Sequence, residues 1–171
     1  MKRLTILRHA KSSWDEPALD DFNRPLNERG WKAARRLGRE LEKRGMKFDL
    51  VLSSTAARTR ETIDGVREKY DLAAPIEFEQ MLYHASAAVL LERVRVLDER
   101  VKSALIVGHN PGLEQLIATL TIDDSKGLRR RVEGKFPTGA LAVVELPARH
   151  WADIAPASGE IVELILPKEL D

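Results

Sequence analysis

The sequence predicts a three-layer α/β/α fold around a mostly parallel sheet, with at least one antiparallel strand and no cap domain. Short apolar runs of strand length alternate with stretches whose apolar residues recur at helical spacing. That alternation is the pattern of parallel strands joined by crossover helices. Two β-runs then follow each other near the carboxyl end, close enough to form a hairpin, and supply the antiparallel member. With 171 residues, 43 % of them hydrophobic, the chain is expected to form one domain (residues 1–171) with a substantial core.

The first strand is Arg3–Leu7. Ala10–Leu26 has no periodicity, contains Pro17 and Pro25, and carries the acidic cluster Asp15, Glu16, Asp20 and Asp21. A loop this long inside a compact domain is more often functional than not. Asn27 can cap a helix running from Glu28 to about Arg44. Ala33, Ala34, Leu37 and Leu41 give it an apolar face, and Gly45 ends it.

Phe48–Leu52 is the second strand. Ser53-Ser54-Thr55 opens a helix to about Tyr70, with Thr55 as its N-cap. Ile76–Phe78 is a short third strand, and Ser86 caps a helix from Ala87 to about Arg100. Ala104–Val107 is a strongly apolar fourth strand that runs into Gly108-His109-Asn110-Pro111. Pro111 suits the first turn of a helix continuing to about Leu120. Thr121–Pro137 is polar and basic, and reads as a loop with at most one helical turn. Gly139–Leu146 and Glu160–Leu166 are the terminal β pair.

Composition narrows the function classes. The formal net charge is +1, which gives no global drive toward nucleic acid or a membrane surface. There is no Cys, hence no disulfide, thiolate nucleophile or Cys-based metal site. No apolar run reaches the length of a membrane span, and the amino-terminal apolar run is too short for a signal peptide. A soluble, cytoplasmic protein is expected.

The chemistry gathers at three strand ends. The first strand ends in Arg8-His9, the second is followed by Ser53-Ser54 and then Arg58, and the fourth ends in Gly108-His109. In a parallel sheet these carboxyl ends share one edge, where ligands bind. Arg8, His9, Arg58 and His109 would meet there. Guanidinium forks match phosphate oxygens. A neutral imidazole with one nitrogen fixed can attack phosphorus, and a second can donate to the phosphoryl oxygens. Alone, either His reads as a structural residue and Arg58 as a solvated helix position; their joint placement makes the site. His150 reads as structural, and Arg129–Arg131 as a solvated loop. No acidic triplet suggests a metal, and no glycine-rich nucleotide loop is present.

These residues resemble the histidine phosphatase (phosphoglycerate-mutase-like) superfamily, most closely its SixA-type phosphohistidine phosphatases. Leu7-Arg8-His9-Ala10-Lys11-Ser12-Ser13-Trp14 is similar to the Arg-His-Gly signature, with Ala in place of Gly. Arg24–Gly30, Ser53–Thr62 and Val107–Gly112 resemble the family's later motifs and occur in its order. The resemblance implies that His9 is the nucleophile and that Arg8, Arg58 and His109 hold the phosphoryl group. Ser12 would lie at the pocket rim. It implies no metal and no organic cofactor. The implied partner is a phosphohistidine-containing protein, a phosphotransfer domain or phosphocarrier, with no nucleic acid and no membrane.

The chain departs from the wider superfamily after the third strand. Many members place a Glu or Asp there to protonate an alcohol leaving group, whereas Gln80–Ala85 has none and Glu77 and Glu79 lie upstream. A phosphorylated imidazole leaves without that help more readily than an alkoxide does. The departure fits a phosphohistidine substrate, with His84 as a surrogate acid if one is used. Two alternatives stand beside this reading. One is a phosphatase of small phosphoesters, which requires a carboxylate from Glu77, Glu79 or the Asp15–Asp21 loop to reach the pocket. The other is a non-catalytic phosphoprotein-binding module.

Overall fold

The computed structural model describes residues 1–170. Its strands are β1 (Lys2–Arg8), β2 (Leu50–Ser54), β3 (Ile76–Glu79), β4 (Ser103–Gly108), β5 (Leu141–Leu146) and β6 (Glu160–Ile165). They form one sheet in the order β3-β2-β4-β1-β5-β6. β3, β2, β4 and β1 are parallel, β5 runs against β1, and β6 pairs antiparallel with β5. The helices are α1 (Glu28–Lys43), α2 (Ala57–Arg67), α3 (Ala87–Arg95), α4 (Gly112–Leu120) and α5 (Leu128–Gly134).

Alternation along each strand divides the core in two, because successive side chains point to opposite faces. Leu7, Val51, Leu105, Val107 and Val143 face α1 and α2, meeting Leu37, Leu41, Ile63 and Val66. Leu4, Ile6, Leu52, Ile106 and Val144 face α3, α4 and α5, meeting Leu90, Val94, Leu113, Leu116 and Val132. Each such fully buried aliphatic side chain contributes about 1.5–3 kcal/mol. The expected three layers are therefore present, and no helical cap is inserted among the described residues. No helix among them is long and apolar enough to cross a membrane.

Several boundaries differ from the sequence reading for identifiable reasons. β2 starts at Leu50, two residues late; Asp49 just ahead of it donates its N–H to Ser103 O at 2.8 Å, and its carboxylate accepts from the backbone N–H of Lys102 and Ser103. Thr55 does not cap α2; its hydroxyl bonds Gln80, and Ala56 occupies the cap position. α2 stops at Arg67, and Tyr70 instead buries its ring edge-on to Phe48. α3 stops at Arg95, and a turn closed by Asp98 and Arg100 follows. Pro111 lies one position earlier than expected, immediately before α4.

The segment read as a loop contains α5. Its start is fixed by Asp124, whose carboxylate accepts from the N–H groups of Leu128 and Arg129. That cap lies four residues ahead of the helix, too far for a cap-position rule to find it.

Register sets the site. Arg8 on β1 pairs with Gly108 on β4, so His9 and His109 leave neighbouring strands at one level. The N–H of His9 donates to Gly108 O at 3.1 Å. The Lys11 carbonyl then packs against the start of α1, where a Cβ on Gly30 would lie 2.1 Å from it. Only glycine lets helix and loop approach so closely.

Candidate active site

His9 sits at the end of β1 with 6 % of its surface exposed. Its Nδ1 lies 2.7 Å from the Ala10 carbonyl, which can only accept, so Nδ1 carries the proton. Arg58 Nε–H points at Nε2 from 3.4 Å, which requires a bare lone pair there. The imidazole is thus neutral, with Nε2 unprotonated and its lone pair turned to Arg58. Burial, reinforced by Arg58 and Arg8, pushes its pKa down to about 3 against the bond to Ala10. The next N–H, that of Ala10, is held by Thr62 on α2 at 2.9 Å, which fixes the turn.

Arg58 is the second residue of α2 and is 1 % exposed. Its Nη1 donates to the Asp21 carbonyl at 2.7 Å and its Nη2 to Asp21 Oδ2 at 2.9 Å. The same Oδ2 accepts from Tyr83 Oη at 2.5 Å and His84 Nε2 at 2.9 Å. Arg24 bonds Oδ1 through Nε and Nη2. Partial burial works against ionisation of Asp21, yet the bonds from Tyr83, His84, Arg24 and Arg58 hold its carboxyl well below the usual range. Asp21 is the internal counter-anion of Arg58.

His109 is 3 % exposed, and its ring centroid is 5.4 Å from that of His9. Its Nε2 lies 2.8 Å from Ser54 Oγ, at the end of β2. Burial first, then the charge of Arg58, lowers its pKa to about 2. His109 Nδ1 and Arg8 Nε are buried without a partner. Buried polar groups are nearly always satisfied, so two orphans within one cluster need an explanation. Neither atom reaches solvent in this structure, so an anion could bond them only once the cluster opens. The arrangement offers a neutral imidazole, two guanidiniums and a second imidazole at one edge of the sheet, a set of groups that suits an anion.

All four residues marked by the strand ends come together at this edge. Ser12 is buried and its hydroxyl accepts from Arg24 Nη1 at 2.6 Å, so it touches the arginine that steadies Asp21. His84 stands at the mouth, its ring 4.8 Å from His109, with a left-handed backbone (φ 50°). Glu77 and Glu79 turn away to Arg93. His150 bonds Glu99 at the surface, 3.0 Å away. Arg129 and Arg131 lie on α5, where they pair with Glu133 and Glu169.

The carboxylate that reaches the pocket is Asp21. The sequence marked its loop as functional by length and acidity, but could not choose among four acidic residues. Tyr83 and Ser54 carried no signal of their own. Tyr83 follows β3 with nothing to place it against Asp21, and Ser54 lay in what read as a helix cap.

The comparisons with known proteins bear on the family and the fold. The model of the histidine phosphatase superfamily (branch 1) matches residues 4–86. An uncharacterized protein of Mycobacterium tuberculosis is 32 % identical over 165 residues, 95 % of this chain and all of its own length. Among solved structures, a provisionally assigned phosphohistidine phosphatase SixA from Agrobacterium tumefaciens is 30 % identical with a TM-score of 0.80. The match covers 97 % of this chain and 98 % of that one. A second provisional SixA, from Nakamurella multipartitia, is 28 % identical with a TM-score of 0.83, over 97 % and 96 % of the two chains. On a family model over residues 4–86 and near full-length likeness to these proteins, the chain belongs to the histidine phosphatase superfamily and is of the SixA type.

Proposed function

We propose that this protein is a cofactor-independent phosphohistidine phosphatase acting on a histidine of another protein. His9 Nε2 attacks phosphorus, a new P–N bond forms, and the P–N bond to the substrate imidazole breaks. The departing imidazole takes a proton from solvent or from His84. Water then attacks the phosphorylated His9, the second P–N bond breaks, and phosphate leaves. Arg8, Arg58 and His109 hold the phosphoryl oxygens through both steps, which is most of what phosphoryl transfer asks of a protein. The observation that carries the reading is a buried His9 whose Nε2 is kept unprotonated, beside the Arg58 guanidinium and with the His109 ring centroid 5.4 Å away.

A second reading draws on Asp21. Asp21 is held ionised and has no proton to give, but its bond to His84 orients that ring, which would then be the group that carries a proton to an alcohol leaving group.

Phosphate release from a chemically phosphorylated His-bearing carrier, from p-nitrophenyl phosphate and from a sugar phosphate separates the two. Faster release from the carrier, abolished in His9→Ala together with the phosphoenzyme, is expected. Preference for the sugar phosphate would transfer the assignment to the second reading. Phosphate binding without any turnover would leave a binding module.

A further inference from the structure

A groove of about 850 Å³ lies between α1, the segment following α5 and the turn after β6. Lys11, Arg29, Lys32 and Arg36 line one side, Arg131, Lys135 and Lys168 the other, and no carboxylate lines it. Arg29, Lys32 and Arg36 are spaced to share one face of α1. All seven are exposed. Arg131 is paired with Glu169; the other six form no ion pair and no side-chain hydrogen bond among the described residues.

This is not how the molecule treats most of its buried and half-buried arginines. Arg24 and Arg58 share Asp21, Arg93 takes Glu77 and Glu79, and Arg129 takes Glu133. With a net charge of only +1, the groove is a local excess of one sign. Like charges gathered in this way repel each other and attract an anionic surface.

The groove also adjoins the catalytic edge. Lys11 lies two residues beyond His9. Pro137 and Thr138 precede Gly139, whose N–H donates to the Arg8 and His9 carbonyls, at 3.1 and 2.9 Å. A macromolecule presenting a group to His9 would lie across this flank. Apart from Arg131 the cations are long, exposed and unpaired, unlike the preorganised donors that hold a small anion, and Pro137, Leu166 and Pro167 add apolar lining.

We infer that this groove docks the acidic surface of the phosphohistidine-bearing substrate protein, an inference that rests on the function proposed above. Rim charges of this kind act on encounter and salt dependence and leave chemistry alone.

The test compares wild type with Lys32→Glu/Arg36→Glu/Lys168→Glu, all outside the catalytic cluster. The substrates are an acidic phosphotransfer domain phosphorylated on its histidine and free phosphohistidine. The expected result is a loss of about tenfold or more in kcat/KM on the protein, through KM, with free phosphohistidine unchanged within about twofold. The variant should also lose the salt dependence of the wild type. Equal effects on both substrates, or none on the protein, overturn the docking role. If wild type turns over neither substrate, the proposed function fails. The groove is then judged by binding of the unphosphorylated domain at low salt. Binding abolished in the variant sustains the docking surface; no binding, or binding that survives the three reversals, overturns it.

Discussion

The carboxylate of Asp21 reaches across from the long loop after β1 to place Oδ2 2.9 Å from Nη2 of Arg58. An incoming phosphoryl group must share that guanidinium with a charge of its own sign. Asp21→Asn removes the competing charge while retaining an oxygen for Tyr83 and His84. The expected outcome is inorganic phosphate inhibiting more strongly, by about tenfold, a modest fraction of the full Coulomb interaction at this range. Turnover of a phosphohistidyl protein should persist. Turnover of a phosphoester, if His84 oriented by Asp21 carries its proton, should collapse. Weaker phosphate inhibition would mean that Asp21 serves chiefly to aim Arg58.

The two site histidines should not titrate where ordinary histidines do. His9 is pushed down to about 3 and His109 to about 2, so both stay neutral in the fold far below 6.5. Imidazole NMR signals from these residues should be flat from pH 8 to pH 5. The unfolded chain binds protons that the fold does not over that window, so stability rises with pH there and falls on acidification. The loss is of the order of 2–3 kcal/mol per residue by pH 4.5. Asp21, also depressed, adds a loss of the same sign at lower pH. Urea unfolding at pH 7 and pH 4.5 checks it: His109→Asn should reduce the difference, and an unchanged difference would show that His109 is protonated in the fold.

Ser54 is placed to set the tautomer of His109. Its Oγ accepts from the N–H of Ala56 at 3.2 Å, which leaves its proton free for His109 Nε2. If the hydroxyl donates to Nε2, the His109 proton is expected on Nδ1, the unpartnered atom. Ser54→Ala should lower kcat/KM by about tenfold, the worth of one such bond. Ser54→Thr should restore most of it. The ¹⁵N shifts of His109 should report the change of tautomer; identical shifts in Ser54→Ala would remove Ser54 from this role.

What the sequence made legible was whatever follows from strand order. Arg8, His9 and His109 end strands with strong apolar runs, and Arg58 is one turn past a third, so a parallel sheet alone brings them to one edge. Asp21 and Tyr83 sit on aperiodic segments, and their meeting depends on how two loops fold over the edge. The basic groove escaped notice because its cations come from α1, the end of α5 and the last turn, distant in sequence and unremarkable in each place. α5 itself was hidden by a cap four residues ahead of its start.

The position of His84 depends on a contact made behind it. A Cβ on Gly112, at the start of α4, would lie 1.9 Å from the carbonyl of Ala85, the residue after His84. The carbonyl belongs to the backbone, so Gly112→Ala must push the loop away from α4. Overpacking of this kind costs about 1–3 kcal/mol. His84 is already in a left-handed conformation, and its 2.9 Å bond to Asp21 has little slack to follow the shift. Gly134→Ala is the control, since a Cβ there meets nothing within 4 Å. Gly112→Ala should melt lower than Gly134→Ala. It should also bind phosphate more like Asp21→Asn than like wild type, because Asp21 loses one of the groups that hold it on Arg58. A Gly112→Ala protein with wild-type phosphate affinity, destabilised or not, would show that Arg58, Arg24 and Tyr83 hold Asp21 without His84.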